Sequence, residues 1–327
     1  MSMWMVTGGA GYIGAHVVRD LLSSGREVVV LDDFSTGLQR KVPAGVPIVR
    51  ASIADGQAVT RALQEYAVDG VVHLAAKKAA GESVHLPLTY YRENVLGMLV
   101  LLEAMQAVSV KKLVYSSSAA VYGTPARNPI TEDFPLIPES PYGETKVVGE
   151  WMTRDAGVAH GLSWIALRYF NVAGAGSDEL GDTSVNNLVP MVFRALSKGE
   201  RPQVFGADYP TPDGTCIRDY IHVSDLSRAH VAAASHCEAN STAQALNVGR
   251  GVGSSVREVM DVISEVLGFD VNAEVVGRRA GDPPASTAAT GRIEEVLDWR
   301  SAHDLRDMVS SAWAAWQSQP PFDPASC

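Results

Sequence analysis

Thr7-Gly8-Gly9-Ala10-Gly11-Tyr12-Ile13-Gly14 follows the short apolar run Met3–Thr7. It opens a stretch in which Ile13, Val17, Val18, Leu21 and Leu22 recur on one helical face until Gly25. Strand, glycine turn and helix in that order specify one local structure. Gly9, Gly11 and Gly14 satisfy G-x-G-x-x-G, while Gly8, Gly11 and Gly14 satisfy G-x-x-G-x-x-G. Glycines allow a tight turn and close backbone approach, and the helix N-terminus offers N–H groups and positive potential to a pyrophosphate. A glycine triplet alone is common in structural turns. Its strand–turn–helix setting makes it a dinucleotide-binding expectation here.

The same alternation runs outward from this loop. Strands are expected at Glu27–Asp33, Val46–Ile53, Gly70–Ala76, Lys112–Ser116 and Trp164–Tyr169, and helices at Gln57–Ala67, Tyr90–Ala107 and Ser140–His160. Near-continuous Val/Ile/Leu strands between helices predict a doubly wound α/β fold with a parallel, Rossmann-type sheet. After Asn171 the pattern loosens. Helices are expected at Asn187–Lys198, Asp225–Ser235, Val256–Leu267, Ile293–Leu297 and Asp304–Gln317. Short strands are expected at Gln203–Phe205, Ile221–Val223, Ala245–Val248 and Ala273–Val276. We read residues 1–172 as a nucleotide-binding domain and 173–327 as a smaller α/β domain, partly threaded back onto the first. The Pro-rich tail Gln319–Cys327 is expected to be loose.

With 327 residues the chain suits about two folding units. Its 46% hydrophobic and 20% charged residues exclude wholesale disorder. The net charge of −10 gives no general attraction to nucleic acid or anionic membranes. No apolar stretch approaches the roughly 18–20 residues of a membrane span. Cys216, Cys237 and Cys327 are too scattered for a disulfide framework or a zinc site, so no metal is expected. These features point to a cytoplasmic protein.

Two further elements carry chemistry. The second strand ends at Asp32-Asp33, where a carboxylate accepts hydrogen bonds from an adenosine ribose and repels a 2′-phosphate, favouring NAD over NADP. Arg40 and Lys41 nearby work against that exclusion. Tyr142-Gly143-Glu144-Thr145-Lys146 is Tyr-x-x-x-Lys on a helix, which puts a phenol and an ammonium on one face. A tyrosine titrates near about 10. A neighbouring ammonium and an oxidised nicotinamide both favour phenolate and would bring this base toward neutral pH. Tyr-x-x-x-Lys alone also describes an ordinary exposed helix face. Its place after the fifth strand and after Ser116-Ser117-Ser118 makes it a candidate acid/base, with Ser118 able to meet a sugar hydroxyl or a developing ketone oxygen.

TGGAGYIG, HLAAKKAAGESV (73–84), SSSAAVYG (116–123), SPYGETK (140–146), LRYFNVAGA (167–175), NNLVP (186–190) and FGADYPTPDGTCIRDYIHVSDL (205–226) resemble UDP-glucose 4-epimerases of the extended short-chain dehydrogenase/reductase superfamily. The resemblance implies bound NAD and reversible C4 epimerisation of UDP-galactose and UDP-glucose through a 4-keto sugar. It also implies a homodimer formed through the Tyr90–Ala107 and Ser140–His160 helices. Tyr142, Lys146 and Ser118 would be catalytic. Gly8, Gly11, Tyr12, Ile13, Gly14, Asp32, Ile53, Lys78, Asn94 and Tyr169, with Tyr142 and Lys146, would hold the cofactor. Asn171, Asn187, Leu188, Arg218, Arg279, Asp282 and Ser286, with Ser118 and Tyr142, would face the UDP-sugar. Read without the resemblance, Asn171 and Asn187 suit helix caps, and Arg218 and Arg279 suit ordinary ion pairs.

The chain departs from the pattern in places. Ser52 precedes Ile53 where an adenine-contacting Asp is common, Ala120 stands where many epimerases carry Thr, and Ala289 replaces a usual Asp. Ser286 is small where a Tyr restricts the space around the sugar's C2 substituent, which extends the expectation to UDP-GlcNAc and UDP-GalNAc. A 4,6-dehydratase would need an acid/base pair beside Ser118, and Ala119-Ala120 transfer no protons. The remaining alternatives are a 4-epimerase of a UDP-pentose or UDP-uronate and a non-catalytic NAD-sensing protein.

Overall fold

The computed structural model describes residues 1–279 and 281–318. The tail 319–327, including Cys327, lies outside the described residues. In chain order the first part runs β1 (Met3–Thr7), α1 (Tyr12–Ser23), β2 (Glu27–Asp32), β3 (Ile48–Arg50), α2 (Gly56–Glu65), β4 (Gly70–His73), α3 (Ala80–His85), α4 (Pro87–Tyr90), a π-helical turn (Tyr91–Leu96), α5 (Gly97–Ala107), β5 (Lys112–Ser116), α6 (Pro141–His160) and β6 (Ser163–Tyr169). Then come β7 (Asn171–Ala173), α7 (Leu188–Ser197), β8 (Gln203–Phe205), β9 (Ile217–His222), α8 (Val223–Ala239), β10 (Ala243–Val248), β11 (Gly253–Ser255), α9 (Val256–Leu267), β12 (Glu274–Val276), β13 (Ala285–Ser286), α10 (Gly291–Leu297) and α11 (Leu305–Ser318).

Seven parallel strands form the main sheet in the order β10-β6-β5-β4-β1-β2-β3. Successive residues of β1 feed opposite layers, as the two-residue strand period requires. Trp4 and Val6 pack with Val17, Leu21 and Leu226 on one face, and Met5 packs with Leu31, Leu101 and Met105 on the other. The strand order reverses between β1 and β4. That crevice, at the carboxyl ends of the strands, is where open α/β sheets take ligands. A smaller sheet has the order β11-β9-β13 with β7 beside β9, and β12 pairs with β8. Phe193, Tyr220, Ile263 and Met308 centre its own core.

Several elements differ from expectation for identifiable reasons. The third strand is only Ile48–Arg50, because Ser52 accepts from Ala54 N through Oγ and from Asp55 N through its carbonyl, which turns the chain. The strand expected at Ile221–Val223 is Ile217–His222. His222 Nδ1 accepts from Ser224 N at 3.0 Å, so Val223 already begins α8. The strand expected within the second domain at Ala245–Val248 joins the first sheet as β10, at the edge beside β6. Among the described residues no helix is long and apolar enough to cross a membrane.

Candidate active site

The turn after β1 is closed by Gly8 N donating to Leu31 O at 2.8 Å and Gly11 N donating to Gly8 O at 3.1 Å. Gly8 has φ +72°, a left-handed backbone that favours glycine. A Cβ on Gly14 would lie 2.1 Å from Gly8 O, and one on Gly8 would lie 2.8 Å from Ala75 N. Side chains are thus excluded from a cradle at the start of α1. Beside it a cleft of about 390 Å³ is lined by Gly8, Gly11, Tyr12, Ile13 and Gly14 on one wall and by residues from Leu74 to Ala79, Tyr142, Lys146 and Tyr169 on the other.

Asp32 also lines this cleft. Its carboxylate accepts from Ala10 N at 2.9 Å and from Phe34 N at 2.8 Å. Burial lifts its pKa above the ordinary carboxylate range, and those two N–H groups act against the rise. Asp33 is turned outward and caps its own turn, accepting from Ser35 N and Oγ. Ile53 and Lys78 also line the cleft. Lys41 reaches it too, but the ammonium is buried and donates to Gly181 O at 2.6 Å. Its pKa is pushed down to about 8, chiefly by burial. Asn94, by contrast, does not line the cleft. Its amide accepts from Lys77 N at 2.8 Å and donates to Lys77 O and to Thr145 Oγ1, both at 3.0 Å, so it pins the β4 loop to α6.

Ser140 and Pro141 start α6 immediately before Tyr142, with Ser140 Oγ accepting from Gly143 N at 3.2 Å. Tyr142 N donates to the buried Ser83 Oγ at 3.1 Å. Lys146 Nζ donates to Ser116 O at 2.8 Å. Burial raises the Tyr142 pKa, opposed by a hydrogen bond from Ser118. Burial also lowers Lys146 to about 8, opposed by Glu150. In the protein alone, desolvation therefore outweighs the lowering of Tyr142 expected from Lys146. Ser118 itself is nearly buried, its Oγ accepting from Ala120 N at 3.2 Å.

The remaining residues form a second arm outside the lining of that cleft. Strand pairing sets Ser286 in register with Arg218. Arg218 donates to Pro283 O at 2.8 Å and pairs with Asp282 at 3.2 Å, so the ion-pair expectation describes it in this structure. The Arg279 guanidinium stacks 4.3 Å from the Phe205 ring centre. Asn171 heads β7 and is exposed, and Leu188 opens α7. Asn187 does occupy the N-cap position of α7, yet its side chain makes no capping bond and donates instead to Asp182 Oδ2 at 2.6 Å. Asp182, Ser83 and Tyr90 were not singled out from sequence, and Lys41 only as a charge working against the exclusion of NADP. Ser83 lay inside the AGESV motif, whereas the others carry no spacing signal. Among the described residues no group of three or more His, Cys, Asp and Glu could hold a metal ion.

Residues 4–249 match the NAD dependent epimerase/dehydratase family. The chain is similar to a UDP-glucose 4-epimerase of Azospirillum brasilense, at 46% identity over 96% of this chain and 91% of that one. Among solved structures it resembles the UDP-glucose 4-epimerase of Bifidobacterium longum in complex with NAD+ and UDP, at 35% identity and TM-score 0.91, covering 98% and 99% of the two chains. It also resembles the UDP-Glc/GlcNAc 4-epimerase of Campylobacter jejuni, at 34% identity and TM-score 0.87, covering 98% and 100%.

Proposed function

The chain belongs to the NAD dependent epimerase/dehydratase family, and we propose that it interconverts UDP-galactose and UDP-glucose at C4 with NAD held in the cleft. The observation that carries this reading is the meeting of Tyr142 and Lys146 with the glycine cradle and Asp32 in a single cleft. The cradle too tight for a Cβ suits a dinucleotide pyrophosphate, and the Asp32 carboxylate suits an unphosphorylated ribose. Gly8, Gly11, Tyr12, Ile13, Gly14, Asp32, Ile53, Lys78 and Tyr169 would hold the cofactor, with Asn94 acting through the β4 loop. Bound NAD supplies the acceptor, and afterwards the donor, for the hydrogen at C4.

The chain's own residues handle the proton. Tyr142 Oη takes it from the sugar 4-hydroxyl and later returns it, with Ser118 on the same oxygen. Lys146, fixed by Ser116 O, orients the nicotinamide ribose and favours the phenolate. Asn171, Asn187, Leu188, Arg218, Arg279 and Asp282 would hold UDP, with the two guanidiniums matched to the diphosphate. Ala119 and Ala120 offer no groups for a dehydration.

Four finer points belong to the same reading. Residues 1–172 carry the cofactor and 173–327 the sugar nucleotide. Exposed Leu96, Leu99, Trp151 and Val158 on the π turn, α5 and α6 support a homodimer through those helices. The buried free thiols Cys216 and Cys237 support a reducing, cytoplasmic location. The small Ser286 beside Arg218, together with the Campylobacter jejuni relative's GlcNAc activity, supports acceptance of N-acetylated sugars. The deciding experiment incubates purified protein with a panel of UDP-hexoses, UDP-pentoses and UDP-uronates and counts both C4 epimers of each. Net NADH accumulation matching sugar consumption would identify a dehydrogenase instead, and no turnover of any sugar would favour NAD sensing.

A further inference from the structure

The segment from Gly181 to Asn187 spans the two arms of the site. At its start, Lys41 Nζ from the cofactor side holds Gly181 O at 2.6 Å. At its end, Asn187 leads into α7. Between them Asp182 uses both carboxylate oxygens inward. Oδ1 accepts from Ser184 N at 3.0 Å and Ser184 Oγ at 2.6 Å, and Oδ2 accepts from Asn187 Nδ2 at 2.6 Å. Asp182, Thr183, Ser184 and Asn186 line the same cleft as Lys78 and Lys41. Burial pushes the Asp182 carboxyl up, but the Lys78 charge and the bonds from Ser184 and Asn187 outweigh it and hold the group ionised.

An Asn at an N-cap ordinarily turns its side-chain oxygen onto the first helical N–H groups. Here the amide nitrogen is held by an anion, which fixes which end of the amide faces Asp182 and leaves the oxygen end directed elsewhere. A charge-assisted bond of this length specifies orientation far more strongly than a neutral one. We infer that Asp182 is a positioning residue for the UDP site, acting through Asn187, and that Lys78 and Lys41 fix the strap from the cofactor side. This rests on the proposed role of Asn187 in holding UDP.

The test is a double-mutant cycle read by calorimetric titration of UDP into the NAD-loaded protein. Asp182→Ala and Asn187→Ala should each weaken UDP by about tenfold, the scale of a lost hydrogen bond to a charged group. The Asp182→Ala/Asn187→Ala double variant should bind no more weakly than Asn187→Ala alone, because the two act as one unit. Asp182→Asn, which keeps an oxygen for Asn187 and nearly the same volume, should recover part of the loss and serves if Asp182→Ala misfolds. Wild-type UDP affinity in Asp182→Ala beside weakened binding in Asn187→Ala overturns the positioning role and leaves the UDP site standing. Losses that multiply in the double variant overturn it as well. Wild-type affinity in Asn187→Ala removes Asn187 from the UDP site, and the inference with it.

Discussion

Lys146 stands one helical turn beyond Tyr142 on α6, its ammonium 5.9 Å from the centre of the Tyr142 ring. Both side chains are buried, and burial favours the neutral form of each: the phenol moves up and the ammonium moves down to about 8. The pair is held in a medium that resists either charge. On the proposed reading, a further positive charge facing Tyr142 would favour its phenolate, which would couple proton transfer to an oxidised, bound cofactor.

Replacing Tyr142 by Phe removes the proton-carrying oxygen and keeps the ring that packs edge-on against Tyr90 at 6.4 Å. C4 epimerisation should fall by about 10²–10⁴-fold, with bound NAD retained. Near-normal turnover in this variant, counted by separating the two epimers, would remove Tyr142 from the chemistry.

Lys146→Met should abolish most turnover and raise thermal stability at neutral pH. The sign follows from linkage. The folded pKa of about 8 lies below the unfolded value of about 10.5, so the unfolded chain binds the extra proton between those limits. The wild type therefore gains stability relative to the variant as pH rises from about 8 to 10.5, by up to about 1.4 kcal/mol per pH unit. Melting curves at pH 7.5 and pH 10 should show the advantage of Lys146→Met shrinking. An advantage that grows toward pH 10 would contradict the buried-ammonium account.

In Gly14→Ala a methyl group would be forced to 2.1 Å from Gly8 O, against backbone that cannot swing away. The cradle must open, and the purified variant should carry little NAD by absorbance and fluorescence. A full complement of cofactor in Gly14→Ala would show that the pyrophosphate does not sit there.

Ser286→Tyr fills space beside Arg218, in register across β13 and β9. Activity on UDP-GlcNAc and UDP-GalNAc should fall selectively, while UDP-Glc and UDP-Gal continue to turn over. Equal loss on both classes, or no N-acetyl activity in the wild type, would clear Ser286 as the gate.

The cofactor loop, Asp32 and the Tyr142–Lys146 pair were legible because their geometry is written in short spacings within one element or its end. The second arm was not. The strand Ile217–His222 was read only at its apolar end, because Arg218 and Asp219 interrupt the run. Asp219 is nevertheless fully buried, accepting from Arg250 N, Gly251 N and Ala288 N, with its pKa raised by burial to about 6. Those donors come from distant segments, so no local pattern announces them. The π-helical turn that sets Asn94 against Lys77 and the contact of Lys41 with Gly181 are likewise tertiary facts.

The return of β10 and α8 to the first sheet makes residue 172 a poor place to cut. A chain ended there would leave β6 as a bare edge and strip α8 from the layer it shares with α1. It would also remove His230, whose Nε2 lies 3.0 Å from Ser116 Oγ on the residue whose carbonyl holds Lys146. β9 runs into α8 without a connecting loop, so Arg218 and His230 ride on consecutive elements. The two lobes are thus not interchangeable parts. A recombination that swapped the proposed sugar-recognising lobe for another would have to bring along its own foundation for Lys146, the proposed catalytic lysine.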